Sequence, residues 1–205
     1  MRSLRLGLIF IVCVLVLTGG VAFAGSVCQK YPSSQVKGTG PLPYNYRIID
    51  GHIHAGGHPL NPSDDFGNSD EQVLSILSYL KSRGIDTVID LENTKRVQKR
   101  YEDLLSEAGI KRLQIPMNAS KMPDKDQWSV IKKTMGSPVY IHCKWGADRT
   151  GAVIAKYLVE EKGYSSQDAY KAVISGGSHA GAMGGLKTSE AYTKLIRFFW
   201  PNYQN

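Results

Sequence analysis

From residue 44 onward, short apolar runs alternate with stretches whose apolar residues recur every three or four positions. Tyr46 to Asp50 and Gly51 to Ala55 predict two short strands around a turn, and residues 56–68 a Gly/Pro/Asn/Asp loop. Ser69 and Gln72 form a capping-box pair, and Val73, Ile76, Leu77 and Leu80 follow on one helical face, closed by Gly84. Further strands are predicted at Thr87–Leu91, Arg112–Ile115 and Pro138–His142. Further helices are predicted at Thr94–Ala108, Asp124–Met135, Arg149 to about Glu161, Ser166–Ile174 and Ser189–Phe198, with a mobile Gly-rich stretch at 175–185. Strands alternating with helices predict an α/β fold: a central, mainly parallel twisted sheet with helices on both faces. Ligands then gather at the carboxyl ends of the strands.

The chain has 205 residues, enough for one domain, expected over 44–205. Residues 25–43 carry Ser, Gly, Pro and Lys without apolar periodicity and read as an extended arm. Residues 1–24 differ from everything after them. Arg2 and Arg5 precede an apolar run from Leu6 to Leu17, and Ala22-Phe23-Ala24 supplies small residues at the cleavage positions. This predicts a cleaved signal peptide and an exported protein, periplasmic or secreted, with no membrane span after cleavage. The apolar run is shorter than the ~20 residues a spanning helix needs. The formal net charge is +7, and falls to +5 for residues 25–205 because the first 24 hold two arginines and no acid. A basic surface attracts anionic substrates. No nucleic-acid partner is expected. Cleavage would leave two cysteines, Cys28 and Cys143. Two cysteines are no disulfide framework, so a free thiol in an exported chain points to catalysis, with a silencing Cys28–Cys143 bond as the weaker alternative.

The candidate chemistry lies in His142-Cys143-Lys144-Trp145-Gly146-Ala147-Asp148-Arg149-Thr150-Gly151. A cysteine and an arginine six apart mean little alone, but here they bracket a loop between a predicted strand and a predicted helix. Such a loop turns backbone N–H groups inward, and with the helix N-terminus it cradles a phosphate dianion. The same field favours the Cys143 thiolate. Arg149 offers a planar fork for two phosphate oxygens. Gly146 lets backbone approach closely, and the Thr150 hydroxyl can reach Cys143. The phosphate site is thus Cys143 to Arg149, with His142 beside it as a supporting or substrate-facing residue.

These residues resemble the signature H-C-x5-R-[S/T] of the protein tyrosine phosphatase superfamily. The Gly-Ala-Asp-Arg-Thr-Gly run is similar to its bacterial dual-specificity branch, and His54-Ala55-Gly56-Gly57-His58-Pro59 to the opening strand and turn of its compact members. The resemblance implies the compact tyrosine/dual-specificity phosphatase fold and a phosphocysteine intermediate formed and hydrolysed without metal or cofactor. The family's usual general acid, an Asp about 30 residues before the cysteine, is missing: Pro116 to Lys121 holds no carboxylate. Asp148 inside the loop is the favoured replacement, as at the matching place in myotubularins. Asp124 is second and Asp126 third, and both Asp148 and Asp124 also suit a helix cap.

Lys144, directly after the cysteine, resembles the phosphoinositide phosphatases of the superfamily, and Lys121 is placed to face the site from the loop above. Extra cations suit a small polyanionic substrate such as an inositol polyphosphate, as in the cysteine-type phytases. The alternatives are a tyrosine or dual-specificity phosphoprotein phosphatase and, more remotely, a phosphate-binding pseudophosphatase. Asp50-Gly51-His52-Ile53-His54 also resembles the strand-end HxH of metal-dependent amidohydrolases, but their barrel needs ~250 residues.

Overall fold

The structure, a computed structural model, describes residues 28–30, 41–174 and 186–204, the first three as backbone only. The expected signal peptide, most of the arm and the Gly-rich 175–185 stretch lie outside the described residues. One six-stranded sheet organises the rest: β1 (Cys28–Lys30), β2 (Arg47–Ile49), β3 (Ile53–Gly56), β4 (Thr87–Asp90), β5 (Lys111–Gln114) and β6 (Val139–His142). Their spatial order is β1-β2-β3-β6-β4-β5. The first three pair antiparallel, while β3, β6, β4 and β5 pair parallel. The hairpin between β2 and β3 turns at Asp50 and Gly51, both at positive φ (52° and 74°).

Helices α1 (Asp70–Ser82), α2 (Gln98–Glu107), α3 (Lys125–Met135), α4 (Asp148–Lys162), α5 (Ser166–Ile174) and α6 (Thr193–Arg197) cover both faces. The pleat sorts the strand residues into two cores. Val88 and Tyr140 join Val73, Leu77, Leu80, Tyr101 and Leu105 of α1 and α2. Their neighbours Ile89 and Ile141 join Ile131 of α3 and Ala152 to Ala155 of α4. The capping box at Ser69 and Gln72 is present, and Gly84, Gly109 and Gly163 adopt the left-handed conformation that ends a helix.

Two predicted helices are shorter than expected. Lys95–Val97 and Glu190–Tyr192 are single 3-10 turns that lead into α2 and α6. At neither turn does Thr94 or Ser189 close a side-chain cap, so the tighter turn takes up the chain's entry.

The register also excludes a Cys28–Cys143 disulfide within one molecule. Cys28 lies opposite Ile49, which pairs Ile53, which pairs Val139. The rise from Val139 to Cys143 is ~13 Å and the strand spacings between β1 and β6 add ~14 Å. A disulfide needs Cα atoms within about 7 Å.

Candidate active site

Strand β6 is central, and the loop after it opens at the carboxyl ends of the parallel strands. Cys143 is a free, buried thiol on the α3/α4 face, and Asp148 begins α4. The loop's carbonyl oxygens are taken, one after another, by donors behind it. His142 O accepts from Leu91 N–H (2.9 Å) and Lys144 O from His58 N–H (3.0 Å). Trp145 O accepts from Asn45 Nδ2 (3.0 Å), Gly146 O from Arg47 Nη1 (2.9 Å), and Cys143 O faces His142 Nδ1 (3.3 Å). A planar trans peptide points its N–H opposite to its C=O. Carbonyls drawn backwards at 144, 145 and 146 therefore turn the N–H groups of Trp145, Gly146 and Ala147 to the loop's opposite, inner side. There they join the N-terminus of α4 as a nest for an anion.

Glycines make this seat possible. A Cβ on Gly146, at φ +68°, would lie 2.2 Å from the Gly56 carbonyl carbon. A Cβ on Gly57 would meet Lys144 O at 3.2 Å and Trp145 at 3.3 Å. Backbone thus rests directly on backbone.

Arg149 reaches over the loop and is held by three acceptors: Glu92 Oε2 (2.8 Å), Leu91 O (3.1 Å) and Met117 O (3.2 Å). Glu92 is itself fixed, its Oε1 accepting from the Asn93 and Thr94 amides and the Thr94 hydroxyl. Burial pushes the Glu92 carboxyl up, but Arg149 and these bonds outweigh it and hold it below its usual range. Burial pulls Arg149 down, and its electrostatic attraction to Cys143, Glu92 and Asp148 overcomes that and raises it.

Beneath the loop lies a second polar layer, in which His142, Tyr101 and Asp90 are fully buried. His142 Nε2 faces the Tyr101 hydroxyl at 3.1 Å, and Asp90 is clamped by Arg112 at 2.5 and 3.0 Å. Burial keeps His142 neutral, overriding the pull of Asp90. A carbonyl can only accept, so His142 donates from Nδ1 to Cys143 O and accepts from Tyr101 at Nε2. Asp148 stands at the loop's end, where its Oδ1 accepts from the Lys187 amide (2.9 Å). Burial pushes its carboxyl above the usual range, against the contrary pull of Lys187 and Arg149.

A family model described as "Tc-R-P: Polymorphic toxin system, DSP-PTPase phosphatase" matches residues 68–163. The "Phosphatidylglycerophosphatase and protein-tyrosine phosphatase 1" of Mus musculus is 32% identical over 134 residues, 65% of this chain and 68% of that one. The chain belongs to the protein tyrosine phosphatase superfamily. "Dual specificity protein phosphatase TpbA" of Pseudomonas aeruginosa is 31% identical over 77 residues, 36% of this chain and 35% of its own. The crystal structure of TpbA in complex with pTyr shares the fold, with a TM-score of 0.58 at 18% identity over 85% of this chain and 91% of that one. The matches cover 46%, 35% and 35% of the first curated relatives' lengths, so the chain spans about a third to a half of them.

Within this superfamily frame the structure brings Cys143, Lys144, Trp145, Gly146, Ala147, Asp148, Arg149 and Thr150 into one loop and helix start. Among the described residues, Thr150 Oγ1 is buried without a hydrogen-bond partner. The Lys144 ammonium lies over the rings of Phe66 (5.6 Å) and Trp145 (5.8 Å), and Trp145 packs edge-on against Tyr44. Lys121 is exposed, in a turn held by Asn118 Oδ1, just beyond Met117 whose carbonyl meets Arg149. Asp124 commits its carboxylate to capping α3, accepting from Gln127 N–H at 2.8 Å.

His142 corrects an expectation. It is wholly buried and engaged beneath the loop, so it supports the site and does not face a substrate. The HxH pair does not converge on a metal either. His52 is taken up by the carbonyls of Asp50 and Met135, and His54 Nδ1 by the Tyr46 hydroxyl. Among the described residues, no group of three or more His, Cys, Asp or Glu could hold a metal ion. Glu92, Asn45 and Arg47 went unseen in the sequence. The one signal was an arginine inside an apolar strand, Tyr46-Arg47-Ile48-Ile49.

Proposed function

We propose that the protein is a cysteine-dependent phosphomonoester hydrolase. The observation that carries this is the buried Cys143 thiol at the floor of the anion nest, with Arg149 fixed over it by Glu92. In the first step the Cys143 thiolate attacks phosphorus, and the bond to the leaving oxygen breaks. Asp148 gives that oxygen a proton, a task for which its raised affinity for the proton suits it. Arg149 and the inward N–H groups carry the charge on the transferring group. In the second step water attacks the phosphocysteine, and Asp148 takes the water's proton. Inorganic phosphate forms and sulfur leaves as a thiolate, with the Thr150 hydroxyl free to donate to it. Cys143→Ser should abolish turnover while vanadate still binds. Turnover surviving that change would sink the mechanism.

For the substrate we propose an inositol polyphosphate. This rests on Lys144, which follows Cys143 in the loop with its ammonium over Trp145, on the exposed Lys121 in the turn after Met117, and on the positive net charge. A second reading, a phosphotyrosine or dual-specificity phosphoprotein phosphatase, is favoured by the relatives: TpbA is named a dual specificity protein phosphatase and crystallised with pTyr. Export through residues 1–24 belongs to the first reading, since phosphotyrosine proteins are scarce outside the cytoplasm. Phosphate release by residues 25–205 in EDTA, from inositol hexakisphosphate and from a phosphotyrosine peptide at equal concentration, separates the two.

A further inference from the structure

We infer that Asn45 and Arg47 are positioning residues that set the phosphate loop in its binding conformation from behind. The inference rests on the reading of this loop as the phosphate site. It concerns residues that touch neither sulfur nor substrate.

The argument starts from the peptide geometry of the loop. Three adjacent carbonyls, those of Lys144, Trp145 and Gly146, must face away from the hollow for the following N–H groups to face into it. Among the described residues a backbone amide holds the first, His58 N–H, and none holds the next two. The next two are held by side chains of one short segment, Asn45 Nδ2 on Trp145 O and Arg47 Nη1 on Gly146 O. Both are about a hundred residues away in sequence, so nothing local to the loop supplies these donors.

The segment is built for the purpose. Arg47 lies in β2 and is 0% exposed, where alternation alone would place an apolar side chain. Its Nη1 also donates to Asn45 O at 2.7 Å, which ties the two positioning residues together. Asn45 has φ +51°, a left-handed conformation that Asn tolerates better than other residues with a side chain. The Tyr44 carbonyl accepts from Gly57 N–H at 2.7 Å and its ring packs on Trp145, so the segment wraps the loop's back along its length. An arginine suits this place because its charge-assisted N–H outcompetes water for a carbonyl and its guanidinium cannot lose its proton.

Without these donors the Trp145 and Gly146 carbonyls are free to swing inward, toward the phosphate. Orientation errors of this kind cost on the order of 100-fold in rate even when the substituted residue is remote from the chemistry. The loss falls on phosphate binding, not on proton transfer. It should therefore be equal for good and poor leaving groups.

The test compares Asn45→Ala, Arg47→Met and Arg47→Lys with the wild-type protein, counting only protein that shows the native melting transition. The readouts are vanadate affinity, protection of Cys143 from iodoacetate by inorganic phosphate, and kcat and KM on p-nitrophenyl and alkyl phosphates. Asn45→Ala is expected to weaken vanadate about tenfold and Arg47→Met about 100-fold. Phosphate protection should fade in step, and Arg47→Lys should restore part of the loss. Folded Asn45→Ala with wild-type vanadate affinity and wild-type protection would overturn the inference, whether or not Arg47→Met folds. A loss confined to poor leaving groups would also overturn it. Wild-type protein that binds no vanadate would instead overturn the phosphatase reading itself, and this inference with it.

Discussion

At the scale of single residues, the site separates into groups that touch phosphate and groups that hold those in place. In the proposed mechanism Asp148 belongs to the first. With an alkyl phosphate that mechanism needs its protonated carboxyl, so the rate should fall as pH rises through its pKa. Burial raises that pKa, so the falling limb should lie above the usual carboxylate value of ~3.9. Asp148→Asn should remove that limb and slow alkyl phosphates ~100-fold or more, with a much smaller loss on p-nitrophenyl phosphate. Equal losses on both would make it a helix residue only. Glu92 belongs to the second group. Glu92→Gln takes away the carboxylate paired with the largely buried Arg149 guanidinium and should cost about 3 kcal/mol in urea unfolding at neutral pH. The native carboxyl is held below its unfolded value of ~4.3, so its contribution is full above that pH and lost as pH falls through the folded value. The variant's stability should therefore decline less between neutral pH and pH ~3 than the wild type's. The phosphate-loop motif was legible because its chemistry is contiguous from Cys143 to Thr150. Glu92, Asn45 and Arg47 were not, because each meets the loop only through the folded sheet.

At the scale of elements, local signals carried far where they were complete in sequence. Ser69 with Gln72, and the glycines at 84, 109 and 163, marked helix ends that the structure reproduces. They did less at Thr94 and Ser189, where side chains of capping type make no cap bond and the chain enters through a 3-10 turn. The contact between the phosphate loop and the end of β3 is an element-level feature that no local signal announces. Gly146→Ala tests it. The new methyl would meet Gly56 backbone at 2.2 Å in a conformation L-residues avoid, so the loop must lift off its seat. Vanadate affinity should drop about 100-fold while helix content by circular dichroism stays unchanged. Retained affinity would show that the loop does not depend on this seat.

At the scale of the whole molecule, alternating strands and helices were enough to foresee a covered sheet with a hairpin at 46–55, but the edge strand β1, inside the stretch expected as an extended arm, had to be seen. The positive net charge has a measurable consequence for the proposed substrate. KM for inositol hexakisphosphate should rise several-fold between ~20 and ~200 mM salt, more steeply than for p-nitrophenyl phosphate. Matching slopes would leave the extra cations without a role. The sheet register carries one last consequence, for oxidation chemistry. A cysteine enzyme often survives peroxide because a second thiol traps the first oxidation product as a reversible disulfide. Here β1 places Cys28 at the far end of the sheet from Cys143, out of reach within one molecule. The Cys143 sulfenic acid therefore has no resolving thiol at Cys28 and stands exposed to the irreversible sulfinic step. Peroxide-treated enzyme should become steadily less recoverable by reductant, and its mass should show two added oxygens with no Cys28–Cys143 cross-link.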